Sequence, residues 1–178
     1  MTDTAPLSSP FPVITDHDAL ELGARLAPRF DANGLVTAVV VDAVSHEVVM
    51  LAHMNAEALA RTIETGIATY WSRSRQEIWV KGATSGNLQR VKALRIDCDQ
   101  DAVLLEVETE GHGAACHRGY HSCFYREIPI GGAAGSAALA FVAEPAFDPD
   151  TVYRHAAAGS PTDASADDTR HPGNRPGR

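Results

Sequence analysis

The sequence lacks any apolar run near the roughly 20 residues that a membrane-spanning helix requires. Its opening, MTDTAPLSSP, has neither the basic start nor the apolar stretch of a secretion signal. Cysteine is scarce: three thiols in 178 residues cannot all pair within one chain, which excludes a fully paired disulfide framework. A surplus of positive charge is also missing, the formal net charge being -8, and this argues against a surface that coats nucleic acid. No internal repeat occurs. These absences lead us to expect a soluble, cytoplasmic protein with no membrane or nucleic-acid partner.

The hydrophobic content, 44%, suits a single domain with a moderate core. DHDALELGARLAPRF predicts a short helix, with Asp16 or Asp18 as N-cap, Leu22 and Leu26 four apart and Pro28 as its limit. GLVTAVVVDAVSHEVVMLAHM is β-branched and broken by DAVSHE, which predicts a hairpin. NAEALARTIETG predicts a helix from the N-cap Asn55 to a C-terminal Gly66, with Leu59 and Ile63 on one face. ATYWSRS and EIWVKG read as strands around a turn, TSGN as a loop, and LQRVKALRI, AVLLEVETEG and CFYREIPI as further strands. We expect an N-terminal arm with a short helix over 1–30 and a functional domain over 31–130. Residues 131–178, rich in Ala, Gly, Pro and Asp, cannot bury enough apolar surface to order themselves, so a low-complexity, largely disordered tail is expected there.

Charge is unevenly placed. Between Trp71 and Arg95 lie Arg73, Arg75, Lys81, Arg90, Lys92 and Arg95 against one acid, Glu77, a pattern that suggests a local anion site or a solvated basic face. The next stretch, RIDCDQDAVLL, spaces Asp97, Asp99 and Asp101 two apart around Cys98. Read as a strand, it puts the three aspartates on one face and the thiol on the other. Carboxylates so placed are roughly 7 Å apart and repel by about 2 kcal/mol per adjacent pair, which a hard cation such as Mg²⁺ would relieve. An EF-hand loop fits poorly, because its sixth position, which should be Gly, is Ala102 and no helices flank it.

Cys116 and Cys123 stand in ACHRGYHSC without the close spacing of a zinc knuckle. The cysteines read either as small buried apolar residues or as metal ligands. Three thiolates on zinc would leave a fourth position for water. Cys98, facing away from the aspartates, could reach such a zinc, shared with another subunit. With the basic window beside it, a two-metal hydrolytic site is conceivable.

The motifs MLAHMN, YWSRSR, WVKGATSGNLQ, DCDQDA and ACHRGYHSCFYR occur in an order and spacing that resemble the phosphoribosyl-AMP cyclohydrolase family over about Gly34 to Glu127. The resemblance implies the third step of histidine biosynthesis: water adds at the six-position carbon of the adenine ring and opens the bond to the adjacent ring nitrogen. It also implies an α+β, β-rich fold of curved antiparallel sheets with one or two short helices, intertwined as a homodimer. By the family pattern Mg²⁺ falls to Asp97, Asp99 and Asp101, and Zn²⁺ to Cys98 of one subunit with Cys116 and Cys123 of the other.

His117, beside a zinc ligand, is the candidate general base or proton shuttle. Arg73, Arg75 and Lys81 are candidate phosphate ligands, Thr84, Ser85 and Asn87 candidate donors to substrate, and Trp71 or Trp79 a candidate stacking partner for the purine. His53, His112 and His121 receive no role. His53 stands where the family more often has Tyr, and EGHGAAC is slightly longer than the common pattern. Two other functions fit part of the pattern: a zinc nucleobase deaminase, whose H-x-E and P-C-x-x-C signature is absent, and a non-enzymatic zinc-stabilised dimer. The residues after Ile130 are too few and too rich in Gly, Pro and Ala for the helical pyrophosphohydrolase domain fused to some relatives, so a monofunctional enzyme is expected.

Overall fold

A computed structural model describes residues 9–150 and Val152. Its frame is a four-stranded sheet in the order β2-β1-β6-β5, formed by β1 (Val36–Asp42), β2 (Val48–Met54), β5 (Gln89–Ile96) and β6 (Ala102–Thr109). A separate two-stranded ribbon pairs β3 (Thr69–Ser72) with β4 (Glu77–Val80). The β1–β2 hairpin is as expected: Asp42 folds the turn by accepting amide hydrogen bonds from Val44 at 3.0 Å and Ser45 at 2.7 Å.

The second helix, α2 (Ala56–Thr65), follows its local signals. The Asn55 side chain accepts from Ala58 N–H at 2.8 Å, and Gly66 ends the helix in the left-handed region at φ 68°. Its buried face is Ala58, Leu59 and Thr62, whereas Ile63 is half exposed. Thr62 also accepts from Thr69 N–H at 3.0 Å, which ties the helix to β3. The first helix, α1 (His17–Glu21), is much shorter than the sequence predicts, and Leu22 stays 84% exposed. Beyond it the arm bonds to the β5–β6 turn instead of to itself.

The expectation of wholly antiparallel sheets needs correction, because β1 and β6 run parallel, in register from Thr37 opposite Ala102 to Asp42 opposite Val107. A tight turn can join only antiparallel strands. The long connection between β1 and β6, which carries β2, α2, the ribbon and β5, returns β6 alongside β1 in the same direction. These two central strands supply Val36, Ala38, Val40, Val103, Leu105 and Val107 to the core, against Met50, Met54, Leu59 and Tyr70. The buried Tyr70 hydroxyl donates to Gln89 at 2.9 Å, so neither polar group is orphaned.

Only Arg126–Glu127 of the expected last strand is extended as β7, paired with β8 (Ala140–Phe141), and Pro129 supplies no amide to prolong the ladder. Residues 131–146 are exposed, yet Ala146 N–H reaches Gly119 O at 2.7 Å and Phe147 packs on His112 at 4.9 Å. The rest of the expected disordered tail, 153–178, lies outside the described residues. Among the described residues, no helix is long and apolar enough to cross a membrane.

Candidate active site

The basic window divides in the fold. Arg90, Lys92 and Arg95 on β5 pair across the sheet with Glu110, Glu108 and Glu106, so they form a neutralised ladder rather than an anion site. Arg73, Arg75 and Lys81 instead line a cavity of about 870 Å³ between β2, the β3–β4 ribbon and the loop after β4. Arg75 is paired with Glu77 at 2.7 Å, whereas Arg73 and Lys81 have no carboxylate partner among the described residues.

Thr84 and Ser85 line the same cavity, together with Trp71, Trp79, His117 and Cys123. Trp79 also packs against Tyr70, with ring centroids 5.1 Å apart, which makes it part of the core wall. Asn87 lies outside the cavity lining: it is buried, and its side-chain oxygen accepts from His112 N–H at 2.8 Å. That bond joins the TSGN loop to EGHGAAC. Gly82 makes the loop possible, since at φ 85° a Cβ there would stand 2.1 Å from the Asn87 backbone.

The two later cysteines meet because residues 115–121 fold back on themselves. Cys116 N–H donates to Tyr120 O at 3.1 Å and Ala115 N–H to His121 O at 3.1 Å, while Cys123 N–H docks on Val49 O of β2 at 2.7 Å. Although Cys123 is exposed at the cavity mouth, the protein around its thiol and the adjacent Cys116 thiol push its pKa up to about 11. Burial pushes the Lys81 ammonium down, and the two nearby thiols oppose that shift. The paired thiols supply two sulfur donors of the kind that a soft or borderline divalent metal takes.

Cys98 is exposed and stands apart from this pair, so no three-thiol cluster exists within one chain among the described residues. The stretch around it corrects a second expectation. β5 ends at Ile96 and β6 begins at Ala102, so Asp97–Asp101 is a turn rather than a strand. Asp97 Oδ1 accepts from the amides of Asp101 and Ala102, each at 3.0 Å, and Gln100 takes a left-handed φ of 59°. The turn gathers carboxylate oxygens of Asp97, Asp99 and Asp101 within 4.8 Å of one another, closer than strand alternation would allow. Asp99 is the main cause of a raised Asp101 pKa, burial and Asp97 add to it, and Arg29 opposes it. This oxygen-only cluster suits a hard cation.

Two further features escaped the sequence. His53, Trp71 and Arg73 also wall a second cavity of about 410 Å³, where burial and Arg73 hold the His53 imidazole below its usual range against the pull of Asp31. The only sequence signal was the histidine itself at an unusual position. Gln100, a neutral residue inside an acidic run, is 4% exposed and bonded to the N-terminal arm.

A family model described as Phosphoribosyl-AMP cyclohydrolase matches residues 50–125, which hold the cavity loop, the acidic turn and the thiol pair. A Phosphoribosyl-AMP cyclohydrolase of Agrobacterium fabrum is 55% identical over 149 residues, 83% of this chain and 98% of the relative. Its counterpart in a Chelativorans species is 61% identical over 119 residues, 67% of this chain and 86% of the relative. That of Brucella canis is 56% identical over 130 residues, covering 73% and 92%. With nearly the full length of such relatives matched, the chain belongs to the phosphoribosyl-AMP cyclohydrolase family, hydrolases of histidine biosynthesis.

Proposed function

We propose that this cavity opens the adenine ring of phosphoribosyl-AMP, in a homodimer that completes each site with residues of both subunits. The observation that carries the reading is the meeting of Arg73, Lys81, His117 and Cys123 around one cavity, with Cys116 behind. Guanidinium and ammonium groups match phosphate oxygens, so Arg73 and Arg75 hold the phosphate ends of the substrate while Thr84 and Ser85 donate hydroxyl hydrogen bonds. Trp71, which is not engaged with Tyr70 as Trp79 is, supplies a flat face to the purine.

In the reaction the water oxygen bonds to the six-position carbon and the bond from that carbon to the adjacent ring nitrogen breaks; of the two water protons one ends on that ring nitrogen and the other on the exocyclic nitrogen, which leaves a carboxamide. His117 receives the proton from water and returns one to the ring nitrogen, acting as general base and then acid. The family depends on metal ions. Cys116 and Cys123, with Cys98 of the partner subunit, would hold Zn²⁺, whose Lewis acidity makes water a nucleophile near neutral pH. Asp97, Asp99 and Asp101 would hold Mg²⁺, as their clustered oxygens favour a hard ion.

Two features support the dimer. Cys98 lies apart from the other thiols of its own chain, and Phe124, Ile128, Phe141 and Val142 around the β7–β8 ribbon are exposed. A monofunctional chain fits the 98% coverage of the Agrobacterium relative.

Following phosphoribosyl-AMP with the purified chain, by ultraviolet absorbance and ammonia release together, tests the reading. Ring opening without ammonia is expected. Ammonia release would indicate a deaminase, and no turnover by the metal-loaded dimer would leave only a structural role for the thiols.

A further inference from the structure

Gln100 occupies the middle of the acidic turn, yet its side chain is committed to another part of the chain. Its Oε1 accepts from Ala27 N–H at 2.8 Å, and its Nε2 donates to the carbonyls of Leu20 at 3.0 Å and Arg25 at 3.3 Å. Its own carbonyl accepts from Arg29 N–H at 2.7 Å. A left-handed conformation is unfavourable for a residue with a Cβ, and these bonds hold Gln100 in it. The same arm then places Arg29 on Asp99, Nη1 to Oδ2, at 3.0 Å. One segment therefore both shapes the turn and puts a positive charge against one of its carboxylates.

We propose that the N-terminal arm sets the cation affinity of the acidic turn, with Gln100 as a positioning residue and Arg29 as a competitor for Asp99. The inference rests on reading Asp97, Asp99 and Asp101 as a divalent-cation site. Without the Gln100 side chain, Ala27 N–H and the Leu20 and Arg25 carbonyls lose their partner and the backbone relaxes from its left-handed state, while the bond from Arg29 N–H to the carbonyl of residue 100 still keeps Arg29 beside Asp99. The carboxylates then spread and bind a cation less well. Loss of the Arg29 charge acts in the opposite direction, because a guanidinium beside Asp99 repels an incoming cation and occupies one of its ligand oxygens.

Calorimetric titration of the zinc-loaded full chain with Mg²⁺ tests this, using Asp99→Asn, Gln100→Ala and Arg29→Met, with zinc content measured for each. Asp99→Asn is expected to bind Mg²⁺ far more weakly than wild type. Gln100→Ala should weaken it by about tenfold or more, the usual effect of removing a group that orients metal ligands. Arg29→Met should tighten it several-fold, a gain that general loosening of the fold would not produce. Zinc content should stay at the wild-type level in Asp99→Asn and Arg29→Met, which leave the backbone of the turn in place. Wild-type affinity in both Gln100→Ala and Arg29→Met, with Asp99→Asn impaired, overturns the role of the arm and leaves the cation site standing. Wild-type affinity in Asp99→Asn overturns the cation site and this inference with it. If Gln100→Ala does not fold, Arg29→Met decides: tighter binding supports the proposal, and equal or weaker binding overturns it.

Discussion

Cys98→Ala and Cys116→Ala are each expected to abolish turnover, yet a mixture of the two should recover part of it. Cys98 stands outside the Cys116–Cys123 pair of its own chain, so the proposed three-thiol site would have to draw Cys98 from the partner subunit. In a dimer of one Cys98→Ala and one Cys116→Ala chain, one site receives an intact Cys98 opposite an intact thiol pair, and the other lacks both. Equal mixing with random reassortment makes half the dimers mixed, each with one working site of two, so about one quarter of wild-type activity should return. The assay is phosphoribosyl-AMP ring opening after mild dissociation and reassociation with zinc, with mixed dimers counted by native mass spectrometry. Cys116→Ala mixed with Cys123→Ala is the control, and it should recover nothing, since both lesions fall on the same half-site. No recovery despite abundant mixed dimers, or equal recovery in the control, would refute a site shared between subunits.

Gly82→Ala should destabilise the chain by more than about 2 kcal/mol, because a Cβ at φ 85° meets the Asn87 backbone at 2.1 Å; urea unfolding measures it, and wild-type stability would contradict the packing described. Arg73→Ala should raise KM for phosphoribosyl-AMP by about tenfold or more, whereas Arg90→Ala, whose charge pairs with Glu110, should change it little. Asp42 gives a pH prediction. The amide of Ser45 holds its carboxyl below the ordinary 3.8, so its contribution to stability is full above that pH and is lost as the pH falls through the lower folded-state pKa. Asp42→Asn should therefore reduce the loss of unfolding free energy between pH 6 and pH 3, and an unchanged acid response would remove the hydrogen bond from the account.

What could be read in advance was local. Asn55 and Gly66 bracket α2 because each cap acts on backbone within four residues of it, and the β1–β2 hairpin needed only β-branched runs and an Asp42 turn. The acidic stretch misled because period-two alternation assumes an extended chain, whereas Asp97 spends a carboxylate oxygen on two amides and Gln100 turns left-handed. Leu22 and Leu26 had helical spacing, but the backbone beyond Glu21 found partners on Gln100, far away in the chain. The bond from His112 N–H to Asn87 was not legible either, because only the fold brings those two residues together. The acids that neutralise Arg90, Lys92 and Arg95 lay one strand further along and were invisible to a count of charge within the window.

The parallel seam between β1 and β6 also bears on biosynthesis. Its first rung joins Thr37 to Ala102, so a nascent chain leaving the ribosome holds one edge of its central strand β1 unpaired until the residues beyond 102 have emerged. Until then Val36, Val40 and Val41 belong to a hairpin with one open edge, the kind of surface that chaperones cover and that premature termination would leave exposed to self-association.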